Sequence, residues 1–523
     1  MSLSVDAQSA CFDPDSLDGA EDIAFAADPL TAFVGPAPRG PVDRPVQLSS
    51  AADFEKHFGV PGFRCRMGFA LRQFFANGGG SAWVVRVSGT MQRRVVALPG
   101  PAGPLLLRAR NPGPLEFLRA SVDYDGVADD SPQAFNLIVQ RLRADASIWI
   151  EEQEYFRRVT VMPDSRDYIG KVLEQSNLVS LAEPAPAERP ALTIKAGSLR
   201  EAGYVAAAAT PMQNPAPGDY DLIGAAAAGT GLNALRGLQD IASVCLISGA
   251  TDASIGPVAM VAADRFCRER QALLIVDPPA RWRTVQDVVS DQQRSGFQSP
   301  NAVTWFPCTR VRDAAGESVL ASAAGAVAAA LASRVGTRDL PRLHDGALVM
   351  QRGGAQLDSR LDAHDLQRLA RAGVNSLVRR SANHHELLGK VTQARHAAPG
   401  AGFRELEQRR DVLFILRRIR LGTRWLAATE SGPQQWRALV TQVQAFLAAL
   451  QESGMLAGGH RASGGFVRCD AQTNRGLPPG TVAFTVAMTL AGATRALTYR
   501  FTQAATGCRI SELGKATELA LTG

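Results

Sequence analysis

The apolar positions of this chain change period from stretch to stretch, and the changes divide it. "TAFVG" (31–35) is an apolar run suited to a buried strand, and "PAPRGPVDRP" after it is a stiff Pro/Gly loop. In "SSAADF", Ser50 stands as an N-cap with Asp53 three residues on, which predicts a short helix. "RMGFALRQFFANGGG" (66–80) groups Phe69, Ala70, Phe74 and Phe75 on or near one helical face with Leu71 beside them, and Asn77-Gly78 supply the stop. "SAWVVRVSG" (81–89) puts Trp83, Val85 and Val87 on one face of a strand. The chain thus opens β–loop–α–β over 31–96, behind a polar, acidic segment (1–30) that reads as an N-terminal arm.

The Pro/Gly break "ALPGPAGP" (97–104) opens a different region. There "FNLIVQRL" and "IWIEEQEYFRRVTVMP" pattern as paired strands, and "PDSRDYIGKVLEQSN" (163–177) as a capped helix, before a second break, "LAEPAPAERPALT" (181–193). Residues 97–203 therefore read as an inserted, mainly β domain. Alternation follows: strand "SVCLISG" (243–249), helix 257–271, strand "ALLIVDPP" (272–279), helix 282–293, strand "AVTWFP" (302–307) and an Ala-rich helix over 316–334. That order predicts a mostly parallel α/β domain over 204–358.

In the C-terminal domain (359–503), "QRLARAGVNSLVRR" predicts a helix and then a strand over 374–380, and "DVLFILRRIRLGTRWL" (411–426) is strongly periodic. In "QQWRALVTQVQAFLAALQESG" (434–454), Trp436, Leu439, Val440, Val443, Phe446, Leu447 and Leu450 form one stripe that Gly454 ends. "GGFVRCD", "GTVAFTVAMTL" (480–490) and "RALTYRFTQ" (495–503) read as strands, the last of the chain, and the tail (504–523) as polar and helical over 509–521. The class is mixed α/β, multidomain, without internal repeat.

At 523 residues, 46% hydrophobic and 20% charged, the chain is of globular composition with about two to four domains. The formal charge of +6 is mild over this length and no long Lys/Arg run occurs, which argues against nucleic acid. The N-terminus lacks the basic start and apolar core of a signal peptide, and "VLASAAGAVAAALAS" (319–333) is too short to span a bilayer. Seven cysteines without a CxxC pair read as free thiols in a reducing cytoplasm.

Candidate chemistry is thin. "GAAAAGTGL" (224–232) lacks the lysine with which a P-loop reaches the outer phosphates. "NHHELLGK" (383–390) lacks a histidine four residues after His385, so two ligands would not face one metal, and His384 and His385 would point apart on a helix. Cys469 in "CDAQTN" has no histidine base in its neighbourhood, and no GxSxG elbow occurs. These absences set a hydrolase or nucleotide-using α/β enzyme behind a non-enzymatic reading, with no cofactor and no metal.

Taken in order, the segments resemble the contractile tail sheath family of phages and phage-tail-like injection systems. The resemblance runs through "TAFVGPAPRGPVDRPVQLSSAADFEKHFG", "FALRQFFANGGGSAWVVRV", "YFRRVTVMPDSRDYIGKVLEQSNLVSL", "GLNALRGLQDIASVCLISGA", "CRERQALLIVDPP", "RRDVLFILRRIRLGTRWLAATESGPQQWRALVTQVQAFLAALQESGML" and "GGFVRCDAQTN". It spans about 31 to 503. The chain departs from the family pattern in lacking a "PGVYIEE"-like segment before the first strand and in carrying about twenty residues beyond the usual last one; the stretch 304–374 also matches less closely.

The resemblance implies a central domain with a subtilisin-like fold and no protease activity, and a core α+β domain formed by the N- and C-terminal segments together. It implies a structural subunit that polymerises, as stacked hexameric rings, around an inner tube and contracts to drive that tube through a target envelope. Expected partners are copies of itself, sheath paralogues, the tube protein, and baseplate and terminator proteins. Assembly is expected in the bacterial cytoplasm, with no nucleic acid and no membrane insertion. Leu497, Tyr499 and Phe501, alternating on one face of "ALTYRF", are the expected strand donated between subunits. Arg417, Arg418 and Arg420 are the expected tube-facing cations, whose reversal at Arg417 and Arg418 would weaken sheath–tube co-sedimentation. Asp470, Thr473 and Asn474 are expected to bond a turn backbone.

Overall fold

Leu30–Gly35 is apolar on both faces, and such a strand needs a neighbour on each edge and a layer on each side. The computed structural model supplies both. It describes residues 22–23, 30–59, 65–128, 131–143, 147–193, 203–208, 216–249, 254–312, 316, 318–321, 323–332, 356–357, 359–381, 384–394, 403–428, 431–457, 465–493 and 495–513.

The central sheet has six strands in the order Ala302–Val303, Leu273–Val276, Ile241–Leu246, Leu30–Gly35, Ala82–Arg86 and Pro45–Leu48. The first five run parallel and Pro45–Leu48 closes one edge antiparallel. Phe33, Cys245 and Ile275 point to one face, under the helices Ala51–Phe58, Arg66–Ala76 and Ala324–Ala332. Val34, Val244 and Leu274 point to the other, under the helix Pro257–Arg270. Ser50 accepts the Asp53 N–H at 3.1 Å and starts the first of these helices. The Ala-rich helix packs so closely that a Cβ on Gly325 would lie 1.7 Å from the Ala70 carbonyl oxygen, so only glycine fits there.

The N-terminal strands thus form one half of the central sheet, beside the strands from residues 241–303, and Leu406 and Leu413 of the C-terminal segment pack in the same core as Phe33. Their apolar faces match the parallel sheet. Of the residues before them, Ile23 lies buried in the C-terminal core instead.

Residues 95–207 build two sheets of their own: Val205–Ala206, Phe117–Asp123, Ala134–Leu142 and Ile150–Thr160 in one, Val95–Leu98, Leu105–Ala109 and Val179–Leu181 in the other. Their shared core holds Val96, Leu105, Val122, Phe135 and Leu137. The helix expected over 163–177 is one α-turn, Ile169–Val172, followed by a 3-10 turn, Leu173–Gln175. Ser165 bonds the Asp167 N–H locally, and such side-chain bonds compete with helix.

The C-terminal sheet is an antiparallel meander of Gly465–Arg468, Val482–Met488, Leu497–Ala504 and Gly507–Glu512. The helices Leu406–Gly422 and Pro433–Glu452 cover it. The final strand was expected to be helical tail over 509–521; residues 509–512 are strand, and 514–521 lie outside the described residues. The polar alternation there is that of a sheet edge with one wet face. Two further expectations shift. "AVTWFP" splits at Thr304, so that Trp305–Phe306 leaves the central sheet to pair with Asn375–Ser381. Ser318–Ala321 is a strand ahead of the Ala-rich helix.

Arg86, fully buried, holds the inserted sheets to the centre. Its guanidinium donates to the carbonyls of Ala37 (2.7 Å), Gly40 (2.6 Å) and Pro112 (2.6 Å). Burial pushes its pKa down to about 10, which leaves it charged at neutral pH. Glu116 accepts the Gly40 N–H at 3.1 Å, and Arg39 pairs with Glu151 of the inserted sheet. Arg86→Ala strands three buried carbonyls; a loss of roughly 3–5 kcal/mol is expected. A lowered melting temperature and faster proteolysis between residues 87 and 116 would show it.

Candidate functional site

An open parallel sheet takes ligands outside the carboxyl ends of its strands. Here that end is filled. Arg66, at the start of its helix, reaches Asp277 at 3.5 Å and donates to Ser248, and all three are buried. Desolvation pushes the neighbouring Cys65 thiol up to about 11, away from the thiolate a nucleophile needs. Toward the starts of the strands, a cavity of about 40 Å³ beneath Ser243, Leu273 and Arg417 has room for water but not for a substrate.

The opposite end of the sheet carries a cluster of buried arginines. Helix Leu406–Gly422 runs beneath the starts of three adjacent strands. Arg409 donates to Asn301 Oδ1 (2.7 Å), Arg417 to the Gln271 carbonyl (3.0 Å) and Arg420 to the Gln239 carbonyl (3.0 Å). Asp240 pairs with Arg417 at 3.1 Å and Arg418 at 2.8 Å. Asp240, Gln271 and Asn301 each stand just before a strand of the central sheet. Burial pushes Arg417 down to about 10 and Arg420 in the same direction.

The tube-facing expectation for Arg417, Arg418 and Arg420 is therefore corrected. All three are buried, because the helix is apolar on the remaining faces and lies between two cores. Sequence reasoning missed Asp240, Gln271 and Asn301. Asp240 and Gln271 fall inside segments that carry the family resemblance but gain no role from it, and only the sheet order brings the three side by side.

The donated-strand expectation for Leu497, Tyr499 and Phe501 is corrected as well. Val482–Met488 occupies one edge of their strand and Gly507–Glu512 the other. Their side chains lie in the C-terminal core, where Phe501 stacks on Phe484 with ring centroids 4.8 Å apart. The alternation that suggested a donor is that of a central strand with one face on helices. Among the described strands, Gly465–Arg468 and Gly507–Glu512 form the two edges of this sheet.

Asp470, Thr473 and Asn474 form a bonded turn. Thr473 N–H donates to Asp470 Oδ1 (2.7 Å) and Asp470 N–H to Thr473 Oγ1 (2.8 Å). Asn474 exchanges two bonds with the Ala483 backbone, at 2.8 and 3.0 Å, and so ties the turn to the next strand. Arg468 and the Thr473 N–H hold the Asp470 carboxyl down at about 2. Desolvation pushes the Cys469 thiol up to about 11. His384 and His385 lie on a strand, His384–Leu388, where a helical two-histidine metal face cannot form. Asp362, His364 and Asp365 stand close together, but the two aspartates are the capping box of the helix Ala363–Arg371. Among the described residues, no helix is long and apolar enough to cross a membrane.

No family model and no curated protein matches the sequence. Solved structures do. A sheath tail protein from Listeria innocua aligns at TM-score 0.59 and 12% identity, over 92% of this chain and 96% of that one. A sheath tail protein from Desulfitobacterium hafniense aligns at 0.54 and 10%, over 94% and 98%. The helical sheath of the anti-feeding prophage, in its contracted state, gives 0.47 and 13%, over 95% of each chain. The fold of this chain, a mixed α/β multidomain architecture, is the fold of sheath tail proteins.

Two outcomes test the site. Asp240→Ala leaves Arg417 and Arg418 without their carboxylate, and destabilisation on the order of 3 kcal/mol is expected in a thermal melt. Asp470, its pKa lowered by folding, adds stability that is full above the unfolded value near 4 and fades as pH falls toward 2. Asp470→Ala should lower the melting temperature at pH 7 and narrow the gap to wild type in acid titrations between about pH 4 and 2.

Proposed function

We propose that this chain is the structural subunit of a contractile sheath, which polymerises helically around an inner tube and shortens to drive that tube through a target envelope. The supporting observation is the fold shared end to end with two sheath tail proteins, over more than nine-tenths of both chains in each case. The closed carboxyl end of the central sheet and the raised Cys65 and Cys469 thiols accord with a protein that does no chemistry. Energy for contraction then resides in the assembly, as subunit interfaces with two discrete packings, and no nucleotide is consumed.

The partners in this reading are other copies of the chain and its paralogues, a tube protein, and baseplate and terminator proteins, assembled in the cytoplasm of a bacterium into a phage tail or an injection particle. Copies linked head to tail without closure build such a polymer. The backbone linkage falls to the sheet edges Gly465–Arg468 and Gly507–Glu512, whose outward groups can pair with a neighbour's extended arm.

Negative-stain electron microscopy of the chain, alone and with its tube protein, is expected to show striated tubes or stacked rings; small monodisperse particles in both samples would overturn the reading. The edge is tested by Glu512→Pro. Leu513 N–H donates inward to Thr498, so the Glu512 N–H faces away from the ladder. The variant should fold normally yet form shorter or no tubes.

A further inference from the structure

The three-stranded sheet of the inserted region turns one face to its core and the other to solvent. Val96, Leu107, Ala109 and Val179 point inward. Arg108 and Arg110 alternate with them and point out. Arg108 pairs with Val95 and Ser180, and Ala109 N–H donates to the Arg94 carbonyl at 2.8 Å. Carried one residue further, that register sets Arg93 opposite Arg110 on the same outer face. The Arg110 guanidinium donates to the carbonyls of Leu173 (2.8 Å) and Glu174 (2.5 Å). Among the described residues, no carboxylate pairs with Arg93, Arg108 or Arg110, and the side chains of Arg93 and Arg108 make no hydrogen bond. Partial burial, and then the charges of Arg108 and Arg110, push the Arg93 guanidinium down from its ordinary value. Like charges side by side on a sheet repel, so this face is short of an anion.

The chain carries its complement at the other extreme of charge. Its N-terminal segment holds Asp6, Asp13, Asp15, Asp18, Glu21, Asp22 and Asp28, with no Lys, Arg or His ahead of Arg39. The root of this segment is fixed: Ile23 is buried in the C-terminal core, so close to Gly422 that a Cβ there would lie 2.7 Å from Ile23 Cγ1. Gly422 ends the helix whose arginines bond the starts of the central strands. The inserted sheets leave from Ala82–Arg86 at its carboxyl end. Root and basic face thus lie toward opposite ends of the central sheet. Asp18 stands five residues from Ile23, at most about 18 Å of extended chain. The strand Ile241–Leu246 alone spans about 20 Å. The acids at 18–22 therefore do not reach the basic face of their own chain.

Resting on the sheath reading, we infer that the acidic segment 13–22 of one copy docks on the Arg93, Arg108 and Arg110 face of a second copy. Asp13 and Asp15 stand two apart, as do Arg108 and Arg110, so in an extended segment carboxylates and guanidinium groups meet at one spacing. Guanidinium and carboxylate match as planar, two-bond partners. The donor leaves one end of the molecule and the receiving face stands toward the other, which is the arrangement of a heterologous, non-closing contact. The contact is made by side-chain charge on the inserted sheet, and is separate from any backbone pairing at the edges of the C-terminal sheet.

The test uses two full-length chains. The first carries Arg108→Lys together with Asp13→Asn, Asp15→Asn, Asp18→Asn, Glu21→Gln and Asp22→Asn; the second is wild type. They are assembled singly and mixed, then treated with a carbodiimide, which joins an ammonium to a carboxylate in direct contact. A dimer band in the mixture alone, with the new lysine linked to a carboxylate of 13–22 by peptide mass spectrometry, supports the inference. No such link in well-formed tubes overturns it and leaves the sheath reading intact. A chain with Arg108→Lys alone that links to its own segment below the assembly threshold places the segment on its own sheet and also overturns it. A wild type that forms no tubes or rings, alone or with its tube protein, overturns both. Arg93→Glu with Arg108→Glu should raise the assembly threshold about tenfold at low salt without lowering the melting temperature, and the difference should close as salt approaches about 1 M. An unchanged threshold at low salt would overturn the inference.

Discussion

The helix Leu406–Gly422 belongs to two cores at once, and the rest of the architecture hangs on that. Leu406 and Leu413 pack under the central sheet, while Val412, Ile415 and Ile419 pack into the C-terminal core. A helix buried on nearly every side has nowhere in water to put its arginines, so each must be satisfied inside. Asp240 and the carbonyls at the strand starts do this, and in doing so they fix how the C-terminal unit sits on the sheet. Gln503 extends the joint: its amide donates to the Arg420 carbonyl and to Thr423, both at 2.9 Å, and clamps the meander to the helix end.

Arg86 plays the matching part on the other side, where three carbonyls converge on one guanidinium. Both joints rely on charge-assisted bonds in places water does not reach, which makes them directional as well as strong. The sheath function proposed above asks for a subunit that moves as a unit when its neighbours rearrange, and joints of this kind suit that, since packed interiors do not deform continuously.

The same physics explains the quiet carboxyl end of the central sheet. A parallel sheet of this kind offers a natural ligand crevice, and here Arg66 with Asp277 and Ser248 fills it. The fold keeps an α/β frame and closes its carboxyl end from within.

Much of the local structure was legible in the residues. The Ser50–Asp53 cap, the stripe of Pro433–Glu452 and the paired strands Ala134–Leu142 and Ile150–Thr160 follow from propensity and period, which act over a few neighbours. The order of motifs along the chain also carried the resemblance to sheath proteins, with which the fold agrees. Tertiary structure alone decided where the charges and edges went. "LRRIR" reads equally as a basic surface or a buried clamp, because what satisfies it stands 146 to 181 residues away at Gln271, Asp240 and Gln239. "LTYRF" reads equally as an edge or a centre, because an alternating strand says which face is buried and nothing about how many neighbours it has. Sequence fixes what each segment can form; long-range pairing chooses among partners of equal local merit.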